Sequence, residues 1–247
     1  MTTTILTGAT RGLGLAMAHQ LAKQGGHLVT ISRREVPDLA ATAKAHGTKL
    51  TELQAELSDH ADLKRIAAAM VEALEGAKHV RIIHNAGGVS PIMPASKLTE
   101  LEPISVAFEA NIVAPIYLTG CFLNATENAT DRRIMLISSG AGRKGTHSWG
   151  VYCATKAAMD RYAEVVGLEA PANTRVASVA PGVIDTPMQE TIRGTPQDLF
   201  PVRERFENMH RDGVLAKPEQ TAHRLLDLLG RDDFGQTLID DVRNHTF

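Results

Sequence analysis

The stretch "TILTGATRGLG", residues 4–14, decides how this chain of 247 residues folds. It begins inside a short apolar strand predicted over Thr3–Leu6, and its last glycine opens a helix predicted over Gly14–Lys23. Gly8, Gly12 and Gly14 mark the turn between them, where glycine lets the backbone approach a pyrophosphate at the helix N-terminus. The strand–turn–helix context favours a nucleotide site over the alternative, a merely structural turn.

The rest of the chain alternates short apolar runs with longer helical patterns. Runs such as "LVTIS" (28–32) and "IMLIS" (134–138) are almost continuously apolar, which is typical of strands covered by helices on both faces. The alternation predicts an α/β fold, a single-domain doubly wound Rossmann fold over residues 1–247, with a parallel sheet of about seven strands. The predicted strands are Thr3–Leu6, His27–Ser32, Lys49–Leu53, Val80–His84, Arg133–Ser138, Arg175–Val179 and Gln236–Ile239, and the predicted helices include Gly14–Lys23, Asp62–Leu74, Ile104–Leu123, Val151–Leu168 and Pro218–Leu229.

One segment, residues 186–215, interrupts this alternation. It is polar and is broken by Gly194, Pro196, Pro201 and Gly213. Long insertions after the carboxyl end of a strand carry substrate contacts in α/β folds. We therefore expect residues 186–215 to form a substrate-binding lid.

Composition excludes several classes of partner. A formal net charge of −2 argues against binding to nucleic acid or to an anionic membrane. The two cysteines, Cys121 and Cys153, cannot form a disulfide framework, and the ten histidines lack metal-ligand spacing, so no metal is expected. The uncharged stretch Ala110–Thr126 is too short and polar for a membrane span, and no signal-peptide pattern opens the chain. The expected compartment is the cytoplasm.

The end of the second predicted strand, "TISRRE" (30–35), indicates which dinucleotide is bound. NAD sites usually carry an acid here for the ribose 2′-hydroxyl, but this chain has Ser32. Arg33 and Arg34 follow it, and Arg11 lies in the glycine turn. Guanidinium groups suit a 2′-phosphate, so NADP(H) is predicted over NAD(H). The alternative is a pair of solvated arginines.

A tyrosine and a lysine stand four residues apart in "GVYCATKAAMD", residues 150–160. On a helix this spacing places Tyr152 and Lys156 on one face, one turn apart. The pair is either surface decoration or an acid–base device. Tyrosine ordinarily titrates near pH ~10, so an acid–base role at neutral pH requires its pKa to fall.

These motifs together resemble the short-chain dehydrogenase/reductases. The resemblance includes the glycine turn, "HNAG" at 84–87, "ISSGAG" at 137–142, "YCATK" at 152–156 and "PGVIDT" at 181–186, and it spans nearly the whole chain. Within the family, "SPIMP", "NIVAP" and "PGVIDTPMQ" are most similar to the benzil and sepiapterin reductase group.

The resemblance implies a catalytic set of Asn111, Ser139, Tyr152 and Lys156. Tyr152 is expected to protonate a carbonyl oxygen, and Lys156, with the oxidised nicotinamide, to lower the pKa of Tyr152 and to bind the nicotinamide ribose. Ser139 lies 13 residues before Tyr152 (152 − 139 = 13), the family's usual spacing, and is expected to polarise the carbonyl. Strand alternation points Ser138 to the opposite face.

Pro115 lies four residues after Asn111 inside a helical pattern. Proline has no N–H, so the Asn111 carbonyl loses its usual helical partner. With the resemblance, this carbonyl is expected to hold a water that links Lys156 to solvent. A simple packing kink is the alternative.

The resemblance also implies a cofactor site with two departures from the family pattern. His84 replaces the usual asparagine, and Glu56 replaces the usual aspartate beside the adenine. The expected NADP(H) contacts are Gly8, Thr10, Arg11, Gly12, Leu13, Gly14, Ser32, Arg33, Arg34, Glu56, Leu57, Asn85, Ala86, Gly87, Asn111, Tyr152, Lys156, Pro181, Gly182, Ile184 and Thr186.

Three functions fit the sequence. The first is an NADPH-dependent carbonyl reductase whose substrate, a neutral and apolar or aromatic ketone or diketone, contacts Ser139, Trp149, Tyr152 and Met188. Two roles are expected for Trp149: it stacks on an aromatic substrate, or it only packs against other side chains of the protein. The second is a 3-oxoacyl-[acyl-carrier-protein] reductase, which would need a basic patch such as Arg143 and Lys144. The third is a non-catalytic NADP(H)-sensing regulator. The resemblance further implies a homo-oligomer, a dimer or a tetramer, formed through the helices Ile104–Leu123 and Val151–Leu168.

Overall fold

The computed structural model of the chain describes residues Met1–Phe247 and contains one sheet of seven strands. All six pairings are parallel. The strand order is β3-β2-β1-β4-β5-β6-β7, so the chain builds outward from β1 in one direction and then from β4 in the other. The strands are β1 (Thr2–Thr7), β2 (His27–Ser32), β3 (Lys49–Gln54), β4 (His79–His84), β5 (Asp131–Ile137), β6 (Thr174–Ala180) and β7 (Ile239–Asp241). This order confirms the predicted doubly wound α/β fold.

Nine α-helices connect or follow the strands. Seven of them are α1 (Gly12–Leu21), α2 (Leu39–Ala45), α3 (His60–Leu74), α4 (Leu101–Phe108), α5 (Ala114–Ala125), α6 (Gly150–Glu169) and α9 (Pro218–Gly230), and two short helices, α7 (Pro187–Arg193) and α8 (Arg203–Arg211), lie between β6 and α9. A π-helical turn, Glu109–Val113, joins α4 to α5. The sequence did not predict α2.

The last strand was predicted at the wrong position. The predicted strand Gln236–Ile239 overlaps β7 only at Ile239, because Gly235 turns the chain with a φ of 86° just before it. Asp240 and Asp241 pair with Val179 and Ala180 of β6 instead. Aspartate is rare in strands, so the sequence pattern did not predict a strand at Asp240 and Asp241. It favoured the more apolar residues just before them.

Each face of the sheet carries its own core because side chains alternate along a strand. Leu6 packs with α1, α2 and α9, whereas its neighbour Ile5 packs with α3, α5 and α6. Both side chains are fully buried. Burial on both faces explains why the strands read as continuous apolar runs.

The joined helices α4 and α5, Leu101–Ala125, are long and apolar enough to cross a membrane by length and composition alone. In the fold, however, Leu118 and Phe122 of α5 are fully buried in the core that also includes α3. Core helices of globular proteins meet the same criterion, and 39% of the apolar window is buried here, so packing against the sheet accounts for part of this helical run.

Candidate active site

The phenol and the ammonium lie together on α6, beside the carboxyl end of β5. Tyr152 occupies the first turn of α6 and is buried, and Lys156 is buried one turn later. The Lys156 Nζ donates a hydrogen bond to the Ile137 carbonyl at 2.7 Å and lies 5.8 Å from the centroid of the Tyr152 ring. The i, i+4 spacing therefore produces the expected pair at the end of the sheet where α/β folds bind ligands.

The pKa of the Tyr152 phenol is raised in the chain without cofactor. Burial raises the pKa of the phenol, and a hydrogen bond with the Ser139 side chain lowers it by a smaller amount. In this state the Lys156 Nζ donates to the Ile137 carbonyl. The expected fall, which involves Lys156 together with the oxidised nicotinamide, stays a prediction for the cofactor-bound chain.

Lys156 itself has an unusual pKa. Burial lowers the pKa of its ammonium to about 8, and the charge of Asp160 opposes that fall. Below that pH the ammonium form predominates. A cation is therefore available beside the phenol at neutral pH.

The two serines at the end of β5 face different partners, as strand alternation predicts. The Ser138 Oγ donates to the Asp160 Oδ1 at 2.5 Å inside the core. Ser139 is on the cleft side, where its Oγ accepts from the Ala141 N–H at 3.2 Å and its side chain reaches Tyr152. The geometry agrees with the choice of Ser139 as the carbonyl-polarising residue.

Both the oxygen and the nitrogen of the Asn111 side-chain amide form hydrogen bonds within the site. Its Nδ2 donates to the Gly88 carbonyl at 3.0 Å and to the Thr155 Oγ1 at 3.2 Å. Its Oδ1 accepts from the Gly88 N–H at 3.0 Å, and a Cβ on Gly87 would come within 3.0 Å of that oxygen. Asn111 thus ties the loop after β4 to α6. Gly88 and Thr155 were not predicted, because these contacts join residues far apart in sequence.

The backbone at Asn111 is not regular α-helix. Residues Glu109–Val113 form the π-helical turn, and the Ala114 N–H bonds the Glu109 carbonyl five residues back. Pro115 follows directly and has no N–H to offer the Asn111 carbonyl. The irregular turn agrees with the helix disturbance predicted from Pro115. The water relay through the Asn111 carbonyl stays a prediction.

The glycine turn after β1 has room for backbone only. Gly8 has a φ of 73°, and a Cβ there would lie 2.8 Å from the Ala86 Cα. A Cβ on Gly14 would overlap the Gly8 carbonyl oxygen. The Asn85 Nδ2 donates to that same oxygen at 3.0 Å. The turn is therefore a close-packed cradle of the kind that a pyrophosphate needs, and a nicotinamide dinucleotide fits it.

Thr7 holds this cradle against the next strand and was missed by the sequence analysis. Its Oγ1 accepts from the N–H groups of Asn85 and Ala86, each at 3.0 Å. Ser32 supports the other side, where its Oγ accepts from the Ala9 N–H at 2.8 Å. Thr7 was missed because it is one of several threonines in β1, and nothing in the sequence distinguishes it from the others.

The arginines expected at the adenosine end are all exposed. Arg11 lies in the glycine turn, and Arg33 and Arg34 follow β2. The Arg33 guanidinium lies 3.8 Å from the carboxylate of Glu56, itself exposed. Such an exposed pair is weak, so Arg33 is able to turn toward another anion.

Several other residues expected to contact the cofactor can do so mainly through their main-chain atoms. The side chains of Leu13, Leu57 and Ile184 are buried in the apolar core, so only their main-chain atoms remain for a ligand. Pro181 and Gly182 are half-buried after β6. Thr10 is half-buried in the glycine turn, and a Cβ on Gly12 would meet the Thr186 side chain at 3.1 Å. The start of the expected lid therefore adjoins the cradle.

The expected lid packs onto the site through aromatic rings. Phe200 is fully buried and stacks on Trp149 with ring centroids 5.7 Å apart and planes within 5°. Phe206 lies 5.3 Å from the same indole, and Tyr152 meets it edge-on at 5.4 Å. Met188 is partly buried against this cluster. Trp149 thus packs within this aromatic cluster, and its contact with an aromatic substrate stays a prediction.

His84, one of the two departures, has a structural partner. Its Nε2 lies 2.9 Å from the Thr119 Oγ1 of α5, and burial lowers the pKa of the imidazole to about 3. The residue is therefore neutral at physiological pH and links β4 to the helix beneath it. It does not line the adenine end of the cleft.

Asp160 is a further buried residue that the sequence analysis did not name. Its carboxylate accepts from Ser138 and Ser178, and it lies one helical turn after Lys156. It continues the i, i+4 row that begins at Tyr152. That spacing is the signal by which it could have been found.

Replacing Gly14 with alanine tests the cradle. We expect the added methyl group to displace the Gly8 carbonyl, to lower the free energy of unfolding by about 1–3 kcal/mol and to weaken dinucleotide binding. Urea denaturation and fluorescence titration measure the two effects. Gly230→Ala is the control, because nothing lies within 4 Å of a Cβ there. Equal stability and affinity in the two variants would contradict the close packing.

Comparison with known proteins agrees with this geometry. The model of the short chain dehydrogenase family matches residues 2–197. A benzil reductase ((S)-benzoin forming) of Bacillus cereus is 33% identical over 240 residues, 94% of this chain and 95% of that protein. The sepiapterin reductase of Mus musculus is 31% identical over 242 residues, 93% and 92% of the two chains. A short-chain dehydrogenase/reductase structure from Burkholderia vietnamiensis has a TM-score of 0.69 at 34% identity and covers 99% and 98%.

The matched region contains the glycine cradle, the serine after β5 and the Tyr152–Lys156 pair. It ends inside the expected lid, whereas the similarity to the two reductases extends over most of the chain. The chain belongs to the short-chain dehydrogenase family, and it is a nicotinamide-dependent oxidoreductase acting on CH–OH and C=O groups.

Proposed function

We propose that this protein is an NADPH-dependent reductase of small apolar ketones, with aromatic diketones as the preferred class. The observation that carries the proposal is the convergence of Ser139, Tyr152 and Lys156 beside the glycine cradle. A donor hydroxyl, a polarising hydroxyl and a buried cation are the groups that reduction of a carbonyl requires.

Each of the three groups has a separate task. The Ser139 hydroxyl orients and polarises the carbonyl by a hydrogen bond. When bound, the reduced nicotinamide supplies a hydride to the carbonyl carbon. The Tyr152 hydroxyl gives its proton to the carbonyl oxygen, so C=O becomes CH–OH and a phenolate remains. The Lys156 ammonium stabilises that phenolate by its charge, which is worth more in a buried site than in water.

The groups after β2 support NADPH rather than NADH. Ser32 stands at the end of the strand, and its hydroxyl already bonds the Ala9 N–H. The next acid, Glu35, bonds the Gln54 side chain at 3.3 Å. No acid is thus directed at a ribose 2′-hydroxyl. Arg34 is exposed, and Arg33 has only a weak, exposed pair with Glu56 at 3.8 Å, so both can bind a 2′-phosphate.

The substrate class follows from the apolar wall above Tyr152. Val89, Ile92 and Trp149 are buried around the phenol, and Met188 packs against them. The names of the two relatives, benzil reductase and sepiapterin reductase, support an aromatic carbonyl compound.

An acyl-carrier-protein substrate has less support. Arg143 donates to the Asp160 carboxylate at 3.5 Å and to the Asp240 carbonyl at 2.6 Å, so it is held by the protein itself. Lys144 is then the only one of the two expected basic residues that remains free for an acidic carrier. A single lysine is a small patch for a charged protein partner.

A carbonyl panel tests the proposed function. The purified chain is mixed with NADPH and either benzil, sepiapterin or an acetoacetyl thioester, and the loss of NADPH absorbance is followed. We expect oxidation with benzil or sepiapterin at a catalytic efficiency well above that with the thioester. The reverse order would favour the acyl-carrier-protein reductase. Tight NADPH binding without oxidation by any of the three would favour the sensing regulator.

We further propose that the chain assembles as a dimer through α4, α5 and α6. These helices, with the π-helical turn between α4 and α5, expose a group of large apolar side chains: Leu101, Val106, Phe108, Val113, Ile116, Tyr117, Val165 and Leu168. Contiguous exposed apolar surface marks an interaction site. Light scattering should give twice the chain mass of 26.6 kDa, or four times if two dimers pair. A mass of 26.6 kDa would contradict assembly.

A further inference from the structure

We propose that Asp160 is a positioning residue that keeps Lys156 in its ammonium form beneath Tyr152, an inference that rests on the reductase function proposed above. Asp160 lies on α6 one turn beyond Lys156 and is 7% exposed. It touches neither the phenol nor the expected carbonyl position. Its effect on the reaction would pass entirely through Lys156.

The carboxylate is held by three different elements. Its Oδ1 accepts from the Ser138 Oγ at 2.5 Å and from the Ser178 Oγ at 2.6 Å. Ser138 follows β5 and Ser178 lies within β6, while Arg143, in the turn after β5, reaches the Oδ2 at 3.5 Å. Two hydroxyl donors stabilise the ionised form of a buried acid. The negative charge is therefore fixed in position.

The side chains of Asp160 and Lys156 are both buried, at 7% and 8% exposed. The turn after β5 packs so closely on α6 that a Cβ on Gly142 would lie 3.0 Å from the Asp160 Oδ2 and 2.9 Å from the Lys156 carbonyl carbon. Between buried side chains a charge acts on its neighbour more strongly than it would in solvent. Asp160 is also the only charged group that raises the pKa of Lys156 against the effect of burial.

The other charged groups nearby are few and mostly paired. On α6, the Tyr152 phenol is uncharged at neutral pH because burial raises its pKa. From the turn after β5, Arg143 opposes Asp160 and is partly exposed. From β7, Asp240 pairs with His245 at 2.7 Å and Asp241 with Arg243 at 2.6 Å. Asn111, in the π-helical turn facing α6, is neutral. Asp160 is thus the carboxylate that governs Lys156.

A direct titration of Lys156 in the cofactor-free chain tests this inference. The ¹⁵Nζ resonance is followed by NMR against pH and assigned by its loss in Lys156→Arg. We expect a wild-type midpoint of about 8. Asp160→Asn keeps the shape but removes the charge, and it should lower the midpoint by about one pH unit. Ser178→Ala, which keeps the carboxylate, should move the midpoint less.

A second variant protects the test against misfolding. Arg143→Gln removes the cation that opposes Asp160 and should raise the midpoint, in the direction opposite to Asp160→Asn. A purely structural role would not give shifts of opposite sign. An unchanged midpoint in a folded Asp160→Asn chain overturns the inference. If that chain does not fold, an unchanged or lowered midpoint in Arg143→Gln overturns it.

The pH profile of ketone reduction separates this inference from the proposed function. With NADPH saturating, kcat/KM should fall on the alkaline side as Lys156 loses its proton, and Asp160→Asn should bring that fall to lower pH. If the wild-type chain reduces no ketone, the proposed function fails, while the titration still tests Asp160. If wild type is active and the fall does not move, Asp160 does not act through Lys156.

Discussion

Tyr152→Phe is expected to lower kcat for ketone reduction by about 10³-fold while NADPH binds as tightly as before. Only the hydroxyl is lost, and with it the proton donor. The ring stays, so the edge-on contact with Trp149 at 5.4 Å is preserved. Steady-state kinetics and a fluorescence titration with NADPH measure the two quantities on the same sample.

The matched control is Tyr162→Phe, the same change ten residues further along α6 (162 − 152 = 10). Its phenol bonds the Thr119 side chain, away from the cleft. We expect activity close to wild type. If Tyr152→Phe retained activity, another group would have to supply the proton. If it lost NADPH binding or melted at a lower temperature, the loss of activity would not report on proton donation.

The second large effect concerns the choice of cofactor. Arg33→Ala combined with Arg34→Ala should reduce kcat/KM for NADPH by about 10²-fold and change kcat/KM for NADH little. Each charge-assisted hydrogen bond to a phosphate contributes about 1.5–3 kcal/mol, and the exposed positions reduce this value. NADH has no 2′-phosphate, so its binding does not depend on these guanidinium groups.

Arg161→Ala controls for the loss of a surface arginine. Arg161 is exposed on α6 and pairs with Glu164 within its own helix. Kinetics with both cofactors should be unchanged in this variant. Equal kcat/KM for NADPH and NADH in the wild-type chain would contradict the 2′-phosphate assignment before any variant is made.

The local sequence pattern was sufficient to predict the positions of most strands, because most strands are buried on both faces and are therefore almost continuously apolar. β2 is buried at all six positions, and its sequence HLVTIS is apolar enough to be recognised alone. β7 failed for the opposite reason: it is three residues long, and its form depends on backbone pairing with β6. Its two aspartates have a low intrinsic propensity for strands.

The spacing of the expected catalytic residues could be recognised from the sequence because each pair lies within a single helix or turn. Tyr152 and Lys156 share one face of α6, and Ser139 differs from Ser138 by strand alternation alone. Contacts between distant segments were not readable. Thr7 bonds the N–H of Asn85 across 78 positions, and Asn111 bonds Thr155 across 44.

The sequence shows which charges lie near Tyr152 but not how much water its phenol loses on folding. Burial raises the pKa of the phenol in the cofactor-free chain, whereas the expected fall depends on Lys156 together with the oxidised nicotinamide. The same uncertainty applied to Trp149, whose neighbours Phe200 and Phe206 lie about fifty residues further along the chain. Desolvation and aromatic packing depend on the assembled fold.

A structure of the chain with NADP⁺ and a bound diketone analogue measures the central claim directly. Tyr152, Ser139 and the carbonyl oxygen should form one hydrogen-bonded group, with the Tyr152 Oη about 2.6–3.2 Å from that oxygen. The Lys156 Nζ should lie on the same side, within reach of the phenol. A carbonyl bound at another wall of the cleft, with the phenol turned into the aromatic cluster, would contradict the assignment of Tyr152 as the proton donor.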